Sequence, residues 1–250
     1  MGLFGFGRKK NDQSANIESA VTRASERTDS HTSTPSPAPA SYDSISSISG
    51  NVVSLDLRKD GILNLTKNDL LDLSKTDSTL RNIRCSAGWD VNDSRYGQDY
   101  DLDLCAYLLG SNGRLAKGIK NTIYYGDKRG TGIQLDHDNL TGEGDGDDEN
   151  MFIDFSRIPD SVQKILVCVV IYQGASRSQT FKHVKNAYVR LVDEGVSPEQ
   201  EICRYNLSAD GGNNTAVRFA ELIRTGEGWV FKALGDLERA SIGDIQDELR

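Results

Sequence analysis

The sequence predicts an all-β fold: a β-sandwich with a short helix, preceded by a disordered N-terminal extension. Three observations carry this. Short runs with strand periodicity recur from residue 51 onward, separated by Gly, Asn and Asp, which is the rhythm of a sandwich. Three of the five prolines, Pro35, Pro37 and Pro39, fall in a Ser/Thr/Ala-rich stretch over 28–50; such a stretch buries too little apolar surface to offset its ordering entropy. Residues 136–154 hold eight carboxylates and no Lys or Arg, a density that only a solvated or cation-filled loop tolerates.

The elements follow in order. Residues 1–50 read as extension and linker. Leu3, Phe4 and Phe6 precede Arg8, Lys9 and Lys10, the reverse of a secretory signal. Phe6 stands where a myristoylation motif needs Ser or Thr. This head reads as a disordered end, with contact to a membrane surface or a partner as the alternative. Residues 14–27 form at most a transient helix. The sandwich is expected over 51–236. Its strands start with the alternating Val53, Leu55 and Leu57, then Ile83, Cys85, Ala87 and Trp89. Strands over 102–109, 121–125 and 151–155 follow. The Val/Ile-rich run 164–172 reads as a central strand. Runs over 188–192, 200–207, 216–224 and 229–234 complete the set, the last two joined as a hairpin through Gly226-Glu227-Gly228. A helix is expected near 178–186. In the charged tail 237–250, Leu237, Ile242, Ile245 and Leu249 approach helical spacing.

Composition narrows the function. The chain has 250 residues, a net charge of −8 and a pI near 5.0, which argues against nucleic acid as a partner. No stretch approaches the roughly 18 apolar residues of a membrane span, so the expectation is not an integral membrane protein. A cytoplasmic location is expected. Cys85, Cys105, Cys168 and Cys203 are widely spaced without a C-x-x-C pattern and read as reduced, partly buried thiols.

The chemistry concentrates in the run Asp136 to Glu149. Gly142, Gly144 and Gly146 let its backbone curl so that oxygens converge, and a hard cation such as Ca²⁺ takes six to eight oxygens at about 2.3–2.6 Å. An EF-hand beginning at Asp138 fails, because Leu140 and Glu143 occupy its third and sixth positions. A phosphate loop fails as well, for want of Gly-Lys-Ser/Thr. In a strand, Asp99, Asp101 and Asp103 share one face, and Tyr100, Leu102 and Leu104 the other. The alternatives are a solvated acidic loop and the exposed face of an edge strand.

The run Asp138-Asn-Leu-Thr-Gly-Glu-Gly-Asp-Gly-Asp-Asp-Glu149 resembles the signature of the TerD family of tellurium-resistance and bacterial stress proteins. Gly88-Trp-Asp-Val-Asn92, Asp101-Leu-Asp103, the segment from Ser178 to Ala187 and Glu201-Ile-Cys-Arg-Tyr-Asn-Leu-Ser208 match in the family's order. The resemblance covers roughly 52–235. It implies a β-sandwich binding Ca²⁺, two ions, through Asp101 and Asp103 of the strand and Asp138, Asn139, Glu143, Asp145, Asp147, Asp148 and Glu149 of the loop, with backbone carbonyls completing the shells. His137 departs from the pattern, standing where the family commonly has Gly. Gln173-Gly174 stands where many relatives carry an acidic residue. The N-terminal extension lies outside the resemblance.

The expectation is a non-enzymatic Ca²⁺-binding stress protein with a role in tolerance of tellurite or other stress. Its partners would be a membrane-associated resistance complex or other family members, with a peripheral position at the inner membrane face. The alternative is a Ca²⁺-dependent membrane or protein docking module. A metal-dependent transferase or hydrolase is disfavoured, because no Ser/His/Asp spacing accompanies the carboxylates and the histidines are His31, His137 and His183.

Overall fold

Two antiparallel-rich sheets face each other across a shared apolar core. The computed structural model describes residues 44–53, 62–63, 65–73, 80–92 and 97–250. Among these, the strands are β1 (Asn51–Val53), β2 (Asp69–Asp72), β3 (Asn82–Gly88), β4 (Leu102–Leu109), β5 (Thr122–Ile123), β6 (Arg129–Gly130), β7 (Ile133–Leu135), β8 (Glu149–Asp154), β9 (Lys164–Ile171), β10 (Tyr188–Asp193), β11 (Gln200–Asn206), β12 (Ala216–Thr225) and β13 (Gly228–Glu238). The helices are α1 (Gly174–Arg177), α2 (Leu207–Asp210) and α3 (Ile242–Glu248). One sheet runs β1-β2-β13-β12-β9-β4-β5 and the other β11-β10-β3-β8-β7-β6. The core between them draws Leu104, Val167 and Leu222 from the first sheet and Ile83, Met151 and Leu191 from the second. The expected sandwich is therefore present.

The apolar runs of β4 and β9 have a specific cause. Both strands are interior to the first sheet and covered on both faces, so alternation gives way to continuous burial. Leu104, Ala106, Val167 and Val169 face the inter-sheet core. Cys105, Tyr107, Leu166 and Cys168 face outward, beneath Ile245 and Leu249 at the C-terminal end of the chain. All four cysteines are free and buried.

Several elements differ from expectation. The helix expected near 178–186 is replaced by α1 and a 3-10 turn at Phe181–His183. Ser178 adopts a left-handed conformation (φ 56), which stops α1, and Phe181 is fully buried, which fixes the turn against the core. The C-terminal helix starts only at Ile242, because Leu237 belongs to β13. Ser241 caps α3 reciprocally with Asp244, supplying partners for first-turn N–H groups. The strands β2, β6 and β7 were not expected; β6 and β7 are two and three residues long. The expected strand at Val53, Leu55 and Leu57 is seen only over β1, and 54–61 lie outside the described residues. The N-terminal head and linker up to residue 43 lie outside them too.

Candidate metal centre

The site forms where β4 begins and the acidic loop enters β8. Period-two alternation sends Leu102 and Leu104 into the core, so Asp101 and Asp103 must point to the outer face. Asp138 reaches them from the loop. One carboxylate oxygen from each of these three residues lies within 4.8 Å of the others. Asp101 is 6% exposed and Asp103 2%, so their charges are largely stripped of water. β5 pairs with β4 only at Ala106 and Tyr107. Beyond that pairing, the Leu104 N–H donates to Glu149 Oε2 at 2.7 Å, which brings the first residue of β8 to the same place.

The polar accounting is diagnostic. Among the described residues, Asp101 Oδ1, Asp103 Oδ2, Asp138 Oδ1 and Glu149 Oε1 are buried without a hydrogen-bond partner. Such groups are costly unless something satisfies them. Burial first, then the Asp138 charge, pushes Asp101 up to about 6, with Arg177 opposing. Burial, then Asp101 and Asp138, pushes Asp103 up to about 8. Burial, aided by the Asp103 and Asp138 charges, takes Glu149 up to about 10 against the hydrogen bond from the Leu104 N–H. Three converging carboxylates, with the unpartnered Glu149 oxygen beside them, fit a hard divalent cation and offer nothing to a soft one.

The other expected ligands occupy different places. Asn139 and Asp148 brace the loop. Asn139 Oδ1 accepts from the Gly142 N–H at 2.9 Å, and its Nδ2 donates to Asp148 Oδ1 at 2.8 Å. Asp148 Oδ2 accepts from the Trp89 N–H at 2.8 Å. Gly142 has φ 74, and a Cβ there would sit 2.5 Å from the Trp89 ring, so the loop closes against Trp89 only with glycine. Asp147 turns to the opposite side. Its carboxylate accepts from Arg84 at 2.5 Å, from Arg190 at 2.6 and 2.8 Å and from the Tyr188 hydroxyl at 2.9 Å. Burial would raise Asp147, yet Arg190, Tyr188 and Arg84 hold it below the usual carboxylate range. Glu143 and Asp145 are exposed. The structure thus gathers Asp101, Asp103, Asp138 and Glu149, and gives Asn139, Asp147 and Asp148 to the loop's framework.

Sequence reasoning missed Arg84, Arg190 and Tyr188. Arg84 and Arg190 sit at alternate positions that read as solvent-facing, but Arg84 is 6% exposed and also binds Glu194 and Glu199. It also missed Arg177, which lines a cavity of about 620 Å³ together with Asp101, Asp103, Asp138, Tyr125 and Tyr172.

The comparisons with known proteins agree with this frame. The TerD domain profile matches residues 62–247. The tellurium resistance protein TerD of an Alcaligenes species is 38% identical over 175 residues, covering 69% of this chain and 89% of that one. General stress protein 16U of Bacillus subtilis is 37% identical over 175 residues with the same coverage. A crystal structure of a Streptomyces coelicolor homologue of the telluride resistance protein TerD superposes with a TM-score of 0.55 at 22% identity, over 65% of this chain and 92% of that one. The chain belongs to the TerD family of tellurium-resistance and stress-response proteins.

Proposed function

We propose that the protein is a Ca²⁺-binding stress-response module that acts by binding rather than by catalysis. The observation that carries the reading is the convergence of Asp101, Asp103 and Asp138, with a buried, unpartnered oxygen on each of them and on the neighbouring Glu149. Ca²⁺ would neutralise these charges and, with its tolerance of irregular oxygen shells, fit a site built from a strand and a loop. Asp101 and Asp103 present the rigid half of the site. Asp138 and Glu149 tie the two ends of the loop to it. A second ion would draw on the exposed carboxylates of Glu143 and Asp145. As the names of its relatives suggest by likeness, binding would serve tolerance of tellurium compounds or of general stress. We place the protein in the cytoplasm, working with other family members or a resistance complex at the inner membrane face. No helix among the described residues is long and apolar enough to cross a membrane.

The test is calorimetric titration of EDTA-stripped protein with Ca²⁺, repeated with Mg²⁺. Micromolar or tighter Ca²⁺ binding near two equivalents, with Mg²⁺ much weaker, is the expected result. Absence of Ca²⁺ binding would remove the reading and leave the loop as a solvated surface. One observation favours a docking variant of the same reading: Leu140, at the cavity rim, is 56% exposed. Ca²⁺-driven co-sedimentation with anionic liposomes, lost in Leu140→Ser, would identify that variant.

A further inference from the structure

Arg177 is the one group around the acidic cluster that the cation reading leaves without work. It ends α1, is half-buried and lines the 620 Å³ cavity that Asp101, Asp103 and Asp138 also line. Its guanidinium lies over the Tyr172 ring, 4.9 Å from the centroid. Tyr172 is held edge-on by Tyr125, with ring centroids 5.6 Å apart. An Arg beside several carboxylates ordinarily makes a bidentate ion pair with one of them. Arg177 does not: among the described residues, no carboxylate or carbonyl accepts from its guanidinium. Up to five N–H donors are therefore held against an aromatic ring, at the wall of a cavity that the candidate cation site also lines.

A cation held by Asp101, Asp103 and Asp138 would share that cavity with Arg177. Two positive centres lining one cavity select an anion that reaches both. A carboxylate has only two oxygens to share between the guanidinium fork and the cation. A phosphate monoester has three terminal oxygens, so two can take the Arg177 fork while the third completes the cation's shell. The cavity is also too large for a bare ion and lies within the roughly 300–1,000 Å³ typical of small-molecule sites. Tyr125 and Leu140 also line the cavity and offer a surface to an apolar or flat group.

We propose that this cavity binds a phosphate monoester, with its phosphate bridging Arg177 and the bound divalent cation and its organic part resting on Tyr125 and Leu140. The inference rests on the cation reading above. Arg177 is then the ligand-binding group, while Asp101, Asp103 and Asp138 contribute through the cation.

The experiment uses the full chain and two probes of the same chemistry: phenyl phosphate in solution, and phosphatidylcholine vesicles with or without phosphatidic acid. Calorimetry first measures Ca²⁺ affinity for the unsubstituted protein and for Arg177→Gln. Each Ca²⁺-saturated protein is then titrated with phenyl phosphate and sedimented with the vesicles. The expected result is phosphate binding only with Ca²⁺ present, weakened at least about tenfold in Arg177→Gln while its Ca²⁺ affinity is retained or improved. Arg177→Lys, which keeps the charge but loses the fork, should fall between the two. Response to phenyl phosphate identifies a soluble ligand, and response to phosphatidic acid alone a lipid headgroup; both support the proposal. Ca²⁺ binding with neither probe bound overturns the phosphate site and leaves the cation reading standing. Phosphate binding that ignores EDTA, or that survives unchanged in Arg177→Gln, overturns the bridging arrangement. Failure to bind Ca²⁺ at all removes both.

Discussion

At the scale of single residues, the site is a set of carboxylates folded into a place that disfavours their charge. Asp101, Asp103 and Glu149 all have their proton affinity raised, by burial first, so the fold favours their neutral forms. The sign follows directly. The stability this gives the cation-free protein is fully present below the unfolded carboxylate value of about 4. It is lost as pH rises through about 6 for Asp101 and about 8 for Asp103. The melting temperature of EDTA-treated protein should therefore decline from about pH 4 to about pH 8, and saturating Ca²⁺ should reverse much of the loss. A flat profile in EDTA would mean that these groups are solvated in the native state. Asp103→Asn tests the same point from the other side. Asn keeps the shape and removes the buried charge, so the cation-free protein should melt at a higher temperature above pH 8, while Ca²⁺ affinity falls at least about tenfold. Unchanged Ca²⁺ affinity in this variant would take Asp103 out of the site.

At the scale of elements, the acidic loop is fastened at two places that do different work. Asp138 and Glu149 lead to the carboxylate cluster of Asp101 and Asp103, whereas Asp147 is bound by Arg84 and Arg190 of β3 and β10 and by the Tyr188 hydroxyl. Asp147 and Arg84 side chains are each 7% exposed, so removing one partner leaves a buried charge short of its counterpart. Asp147→Ala should cost about 2–4 kcal/mol, toward the low side because Glu194, Glu199 and Glu201 remain to hold the arginines. Urea denaturation in EDTA measures this, and a loss within about 0.5 kcal/mol would show that the network does not hold the loop. The contrast also explains what could be read from the chain. The Asp101-Leu-Asp103 alternation specified a strand face, and its two carboxylates do converge. The long apolar runs of β4 and β9 likewise announced strands covered on both sides. The division of labour within Asp147-Asp148-Glu149 had no such signal. Three consecutive carboxylates look alike in sequence, and their roles depend on Arg84, Trp89 and Leu104, which come from separate strands or the segment after β3. Short strands such as β6 and β7 carry too few residues to show periodicity, and only their pairing, β7 with β8 and β6 with β7, defines them.

At the scale of the whole molecule, the sandwich supplies a rigid frame and the acidic site sets a conditional part of its stability. The loop joins β7 to β8 in one sheet, and its carboxylates meet β4 of the other, so anything that binds there ties the two sheets together at one end. A ligand that binds only the native state stabilises it by about 2.7 kcal/mol when its concentration is 100 times its dissociation constant. For a domain of this size that corresponds to a rise in melting temperature of about 5–10 °C. The rise should grow with the logarithm of Ca²⁺ concentration, because the linkage is mass action and not a conformational threshold. Scanning calorimetry over a Ca²⁺ series, with Asp103→Asn beside the unsubstituted protein, separates the specific effect from screening of the net −8 charge. Screening by a divalent salt acts equally on both proteins, whereas site binding lifts the unsubstituted protein at Ca²⁺ concentrations at least about tenfold lower than the variant. Equal shifts in the two would assign the stabilisation to general charge screening. A rise displaced to higher Ca²⁺ in the variant would show that the bridge between the sheets is made by the cation itself.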